Sequence, residues 1–140
     1  MSYELIPHTA DLGIRVKGKT LPKLFENAGH ALFSIMTDIA RVKPKEEYPL
    51  EVTADNLDEL MNNWLTKLLQ EYVFNQHLLC RFQVSELRTT NYQLRAVVRG
   101  ETYNPKRHKI LKEIKAVTFH NLSVRQINNK LWQAEVIFDV

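Results

Sequence analysis

A long amphipathic helix places the strongest constraint on how this chain can fold. Between residues 57 and 72 the apolar side chains recur at intervals of three and four, which is the period of one helical face. They are Leu57, Leu60, Met61, Trp64, Leu65, Leu68, Leu69 and Tyr72. Asn56 precedes this run as a candidate N-cap, and Glu59 stands where it completes a capping box. Because the opposite face is polar, the helix must pack its apolar stripe against another part of the protein.

A second helix is predicted over residues 21–36, where the apolar side chains again share one face. They are Leu21, Leu24, Phe25, Ala28, Leu32, Ile35 and Met36. Thr20 followed by Pro22 is typical of a helix start.

The rest of the chain has the character of strands. The predicted strands are Tyr3–Ile6, Leu12–Lys17, Tyr48–Thr53, Leu79–Leu87, Tyr92–Gly100, Ile114–Ile127 and Lys130–Phe138. Residues 88–91 and the pair Asn128-Asn129 indicate hairpin turns, and Thr102–Leu111 is predicted to be an irregular loop. We therefore predict one α+β domain over residues 1–140, with an antiparallel-rich sheet and two helices on one face.

The composition excludes several classes of protein. Hydrophobic residues make up 44% and charged residues 25% of the 140 residues, which is ordinary for a globular protein and not for a disordered one. No apolar run approaches the roughly 20 residues of a membrane helix, and residues 1–15 lack the layout of a secretory signal. A single cysteine, Cys80, allows no internal disulfide and fits a reducing compartment. The sequence contains no Gly-rich phosphate loop and no nucleophile elbow, which weighs against an ordinary enzyme.

The positive charge is concentrated in one stretch. The net charge is +3, yet residues 81–115 alone carry nine Lys/Arg against three Asp/Glu. Residues 103–115, which we name the basic loop, hold five of these cations and one Glu. Such a loop suits an anionic partner such as RNA, although a solvated loop is an equal alternative. Only Tyr103 and Phe119 are available nearby for base stacking, so sequence-specific RNA binding is weakly supported.

Three carboxylates are candidates for a metal site. Asp11 lies in a turn before a predicted strand, while Asp139 and the α-carboxylate of Val140 follow the apolar segment Val136-Ile137-Phe138. If these two strands are neighbours, the carboxylates converge and repel one another unless a cation joins them. An all-oxygen set suits Ca²⁺ or Mg²⁺. Two alternatives remain open: Lys115 as the counter-ion, or Asp11 as a simple turn former with His8 a polar strand end.

Four sequence stretches also resemble a known family. They are His8-Thr9-Ala10-Asp11-Leu12-Gly13, Leu24-Phe25-Glu26-Asn27-Ala28, Trp64-Leu65-x-x-Leu68-Leu69, and Glu113 to His120 taken together with the closing Val136 to Val140. In this order and over nearly the whole chain, they are similar to archease, the accessory protein of the RtcB-type RNA ligase. The resemblance implies the archease fold, a strand–helix–strand–strand module with a further helix-and-strand insertion.

The resemblance also implies a function. An archease-like protein is not an enzyme but a cytoplasmic activator in tRNA splicing, which promotes guanylylation and multiple turnover of the ligase and broadens its nucleotide use. It implies a divalent metal, usually calcium but Mg²⁺ or Mn²⁺ as well, at Asp11, Asp139 and Val140. It further assigns a functional position to Lys115, and we predict His8, His108 and His120 as additional functional or partner-facing residues. The expected partner is the ligase, with tRNA or a tRNA methyltransferase as a further one.

Two alternatives and two departures accompany this interpretation. The chain could instead be a chaperone or RNA-binding factor for a tRNA-modifying methyltransferase, acting through the basic loop, or a metal-dependent hydrolase with His8 or His120 as the base. The pair Asn62-Asn63 stands where many relatives have an acid, and Asn104 stands where Asp is frequent. These departures concern partner contacts more than the metal ligands.

Overall fold

Both predicted helices form with the predicted N-caps. The structure, a computed structural model, describes residues 3–7 and 11–140. Helix α1 spans Leu21–Met36, and the Thr20 hydroxyl accepts a hydrogen bond from the Lys23 backbone N–H at 3.2 Å. Helix α2 spans Leu57–Asn75, and the Asn56 side chain accepts one from the Glu59 backbone N–H at 2.8 Å. Within the described ranges, neither helix is long and apolar enough to cross a membrane.

The strands form two antiparallel sheets where one was predicted, and the antiparallel strands together with the two helices confirm the predicted α+β class. The strands are β1 (Glu4–Ile6), β2 (Leu12–Gly18), β3 (Glu46–Thr53), β4 (His77–Arg88), β5 (Gln93–Thr102), β6 (Ala116–Val117), β7 (Ser123–Asn128) and β8 (Leu131–Asp139). One sheet has the order β1-β2-β8-β6, with β7 also paired to β8, and the other has the order β3-β5-β4. A short 3-10 turn, Ile39–Arg41, follows α1 and was not predicted.

A single cluster of buried side chains joins both sheets and both helices. Helix α1 packs against β2 and β4, while α2 packs against β3, β4 and β6, so each helix contacts both sheets. Trp64 lies fully buried at the centre, and its indole N–H donates to the Phe25 carbonyl oxygen at 2.8 Å. This hydrogen bond satisfies the one polar atom of the largest core side chain and ties α2 to α1.

The predicted strand Ile114–Ile127 is wrong as one continuous element. It is divided into β6 and β7, which pair with different parts of the same edge of β8. Between them the chain leaves the sheet, with Asn121 in the left-handed region at φ 51°. The Asn62 amide of α2 donates to the carbonyl oxygens of Val117 and Thr118, both at 3.2 Å. These bonds tie the end of β6 to a helix more than fifty positions earlier in the sequence.

Candidate functional site

Strand register brings Asp11 and the residues at positions 139 and 140 to one end of the sheet. Antiparallel pairing of β2 with β8 sets Leu12 opposite Phe138, so Asp11 and Asp139 are the next residues along the two strands. On the other edge of β8, β6 sets Ala116 opposite Asp139, and the Lys115 backbone N–H donates to the Asp139 carbonyl oxygen at 2.8 Å. Asp11, Lys115, Asp139 and Val140 thus lie at the same end of the sheet, which we name the carboxylate end.

The alternation of side chains along β8 determines which groups reach solvent. Phe138 is fully buried, and its neighbour Asp139 is exposed on the other face of the strand. Val140 is half-buried and packs against the core. Because the Phe138 ring anchors the strand inside the protein, the Asp139 carboxylate is held at a fixed position at the surface.

The donors at the carboxylate end are oxygen atoms. Asp11 and Asp139 supply side-chain carboxylates, and the third is the carboxylate that Val140 carries when it is the terminal residue. Within residues 3–7 and 11–140, no three His, Cys, Asp or Glu side chains are grouped to hold a metal. A three-carboxylate set at this end therefore requires the Val140 carboxylate. The set fits a hard divalent cation by its chemistry, with the exposed ammonium of Lys115 as a neighbouring positive charge.

A short loop after β6 presents His120 at the surface. The backbone N–H and the hydroxyl of Thr118 both donate to the Ile137 carbonyl oxygen, at 3.0 and 2.9 Å. The same hydroxyl accepts a hydrogen bond from the His120 backbone N–H at 3.2 Å. His120 is exposed, and next to it Phe119 exposes 65% of its surface. An exposed ring and an imidazole thus lie together on the loop after β6, while the predicted functional residue His8 lies outside the described residues.

Asn62 supports this loop, and sequence reasoning missed that role. It is only 5% exposed and bonds the backbone of residues 117 and 118. The adjacent Asn63 donates to the Thr53 carbonyl oxygen at 2.8 Å. The departure from an acid at this position therefore supplies a structural amide, since a carboxylate could not donate to two carbonyl oxygens. A buried amide on an otherwise apolar helix face was the available signal.

The prediction that His108 faces a partner is wrong, because its side chain is completely buried. Its Nδ1 accepts a hydrogen bond from the Asn104 backbone N–H at 2.9 Å, so the ring proton resides on Nε2. Nε2 donates to Oε2 of Glu101 at 3.0 Å. His108 thus fastens the basic loop to the end of β5 and does not belong to the carboxylate end.

Glu101 is the centre of this second polar cluster. Its side chain is 5% exposed and accepts hydrogen bonds from the Lys43 backbone N–H at 2.7 Å, from Arg107 and from His108. Burial by itself raises the pKa of the Glu101 carboxyl, but these three hydrogen bonds and the Arg107 charge outweigh burial and lower the pKa to about 2. The carboxylate is therefore ionised at neutral pH, and its role is to hold the loop.

We expect Glu101→Gln to lower the free energy of unfolding by about 2 kcal/mol at pH 7, since hydrogen bonds to a charged acceptor are lost. A carboxyl whose folded-state pKa is lowered stabilises the fold above its unfolded value of 4.5 and loses this contribution as the pH falls toward 2. The difference between the wild type and the variant should therefore shrink between about pH 4.5 and pH 2. Urea unfolding followed at several pH values measures it.

The matched control is Glu47→Gln, which removes an exposed carboxylate paired with Arg99. Exposed pairs contribute little, so we expect a change below about 1 kcal/mol. A pH-independent loss in Glu101→Gln would contradict the ionised role of Glu101.

Much of the positive charge in residues 81–115 is neutralised within the sheet β3-β5-β4. Arg95 pairs with Glu51 at 3.1 Å, and Arg88 pairs with Glu86. In the basic loop, by contrast, Lys106 and Lys109 form no ion pair with any described residue and are exposed. This loop therefore offers positive charge to a partner.

Comparison with known proteins identifies similar sequences along nearly the whole chain. The model of the Archease protein family (MTH1598/TM1083) matches residues 3–140. The protein archease of Methanopyrus kandleri is 38% identical over 141 residues, covering 100% of both chains. The protein archease of Methanosarcina mazei is 34% identical over 140 residues, covering 99% of this chain and 95% of the relative.

Solved structures share the fold. The solution structure of Methanobacterium thermoautotrophicum protein 1598 superposes with a TM-score of 0.83 at 31% identity, covering 99% of this chain and 98% of that one. The crystal structure of an archease from Thermotoga maritima, described as a possible chaperone, has a TM-score of 0.63 at 20% identity. That comparison covers 100% of this chain and 98% of the other, and at this identity it supports the fold alone.

Proposed function

The chain belongs to the archease family, and from this premise we propose that it is a cytoplasmic accessory protein that activates an RtcB-type RNA ligase in tRNA splicing. In this role it is not itself an enzyme: it promotes guanylylation of the ligase, sustains multiple turnover and broadens nucleotide use. The observation that carries the proposal is the meeting of Asp11, Lys115, Asp139 and Val140 at one end of the sheet.

The carboxylate end is the part of the molecule that we assign to the ligase. Asp11, Asp139 and the terminal carboxylate of Val140 would hold a divalent ion, for which Ca²⁺ is the first candidate and Mg²⁺ or Mn²⁺ the others. When bound, such an ion offsets the negative charge of phosphate groups during nucleotidyl transfer. The buried Phe138 ring fixes the position of Asp139 beside it.

Lys115 and the loop around His120 complete this surface. The Lys115 ammonium reduces repulsion between the carboxylates and offers a donor to a phosphate oxygen. Phe119 presents an apolar ring to the ligase, since 65% of its surface is exposed next to charged groups. His120 stands beside it as a donor or acceptor for the same partner.

The test is guanylylation of the cognate RtcB-type ligase by labelled GTP under multiple-turnover conditions, with and without this protein. We expect the ligase alone to stop after about one turnover, and the addition of this protein to restore continued turnover. An unchanged ligation time course at equimolar protein would contradict the proposal. Phosphodiester turnover by the purified chain alone would instead support a hydrolase.

A second candidate function is that of a chaperone for a tRNA-modifying methyltransferase. The Thermotoga maritima relative is described as a possible chaperone, and Phe119 and Leu111 are large apolar side chains that stay exposed here. This alternative predicts that the protein suppresses thermal aggregation of the methyltransferase, measured by light scattering, without any effect on the ligase.

A further inference from the structure

A cationic cleft lies between the end of α1 and the basic loop, apart from the carboxylate end. Its volume is about 690 Å³, and it is open to solvent. One wall is formed by residues 34–41, including Arg41, and the other by residues 105–111, including Lys106, Arg107 and Lys109. Among its lining residues, four carry a permanent positive charge, and Asp38 is the one acid.

The two walls are tied together, so the cations are held on a defined frame. The Thr37 hydroxyl donates to the Lys109 carbonyl oxygen at 2.7 Å, and the Leu111 backbone N–H donates to the Met36 carbonyl oxygen at 2.8 Å. From below, buried His108 bonds Glu101 at 3.0 Å. These hydrogen bonds fix the backbone of the loop. The Cα positions from which its charged side chains extend are therefore fixed as well.

Neutralisation within the cleft is incomplete. Arg107 pairs with Glu101, and Arg41 lies 3.6 Å from Asp38, a pair in which both side chains are mostly exposed. Lys106 and Lys109 form no ion pair with any residue that the structure describes. The cleft therefore keeps a net positive charge, carried by Lys106 and Lys109 on the loop wall, with the exposed Arg41 side chain on the opposite wall.

The shape and lining of the cleft indicate which anion it suits. Apart from the buried His108 ring, its lining contains no aromatic side chain on which a base could stack, and an open cleft does not enclose a single nucleotide. Cations on two opposed walls suit several linked phosphates more than one phosphate group. We propose that this cleft binds the phosphate backbone of an RNA strand, without sequence preference, through Arg41, Lys106 and Lys109. Phosphate binding by the cleft does not depend on the proposed function. The choice of RNA over DNA rests on the proposed function.

The test measures binding of a fluorescein-labelled single-stranded RNA of about 20 nucleotides by fluorescence anisotropy, without any ligase. Three phosphate contacts on a single strand give a salt slope of about −2, so raising the salt from about 50 to about 200 mM should weaken binding about 20-fold. The triple variant Arg41→Ala, Lys106→Ala, Lys109→Ala should lose at least about tenfold in affinity at low salt and most of this salt dependence. Arg107 is left in place because it bonds the buried Glu101.

The matched control removes three exposed lysines elsewhere, with the same change in net charge: Lys17→Ala, Lys67→Ala, Lys130→Ala. We expect this control to bind RNA within about twofold of the wild type. A gain-of-affinity variant, Asp38→Asn, removes the acid of the cleft and should strengthen binding about two- to fivefold. Asp38 makes no side-chain capping bond, so the substitution leaves the turn intact.

Four outcomes would overturn the proposal: no RNA binding at low salt, equal losses in the two triple variants, displacement of the RNA by GTP at equal phosphate concentration, or equal displacement by polyglutamate. The third would identify a mononucleotide site and the fourth an acidic protein partner. Because the assay contains no ligase, failure of RNA binding is separate from failure of ligase activation.

Discussion

We expect Asp139→Asn to weaken calcium binding at least about 100-fold and to abolish stimulation of the ligase. The substitution keeps the size of the side chain but removes one of the charges that we propose hold the ion, and losses of 10–100-fold are already typical for groups that only support a ligand. The fold should remain unchanged, because Asp139 is exposed and its backbone bond to Lys115 is preserved. Isothermal titration of chelator-treated protein with CaCl₂ measures the first effect, and multiple-turnover guanylylation measures the second.

The control is Asp55→Asn, which makes the same change at an exposed position in the turn before α2. It should leave both readouts at the wild-type level. If Asp139→Asn keeps its calcium affinity but no longer stimulates the ligase, Asp139 contacts the partner and does not hold a metal. If neither readout changes, the carboxylate end is not the functional site.

A double-mutant cycle with Asp11→Asn separates a shared ion from two independent contacts. Side chains that hold one ion act as a unit, so the double variant should bind calcium little worse than the more affected single variant. Additive losses would indicate that Asp11 and Asp139 act separately. Extension of the chain by two residues beyond Val140 tests the third donor in the same titration.

The helices and most strands could be predicted because their signals are local. The stripe of α2 and the cap at Asn56 lie within a few residues of each other in the sequence, and the structure places them as predicted. The carboxylate end is an intermediate case. The sequence shows that Asp11 and Asp139 each adjoin an apolar strand. It does not show that Leu12 pairs with Phe138, because these residues are far apart in the chain.

The features that could not be predicted involve side-chain hydrogen bonds that no local pattern marks. The Asn62 amide from α2 holds the backbone at the point where the predicted strand 114–127 is interrupted. The burial of His108 requires Glu101, which lies seven residues away in a pattern that looks like a polar loop. In both cases a polar side chain is satisfied inside the protein, and hydrophobic periodicity carries no information about such bonds.

Gly100→Ala should produce the largest loss of stability, about 3 to 5 kcal/mol. Gly100 lies in β5 opposite Leu79, where a β-bulge interrupts the pairing with β4. A Cβ atom there would overlap the backbone carbonyl of Leu78, and backbone on a paired strand cannot give way as a flexible side chain can. The two strands must separate next to Glu101, which follows Gly100 in β5. The loss of pairing therefore also disturbs the buried Glu101 carboxylate.

The matched control for Gly100→Ala is Gly13→Ala. At Gly13 the added Cβ would approach the Ile6 carbonyl oxygen only to 3.2 Å, so a shift of a few tenths of an ångström accommodates it. We expect a loss below about 1.5 kcal/mol there, and urea unfolding of both variants measures the two values. Equal losses of unfolding free energy in the two variants would contradict the prediction. They would show that the loss comes from adding a methyl group at any buried glycine and not from the close approach to Leu78. A larger loss in Gly100→Ala, accompanied by weaker pH dependence between pH 4.5 and pH 2, would link the bulge to the ionised Glu101, because a displaced carboxylate no longer has its lowered pKa.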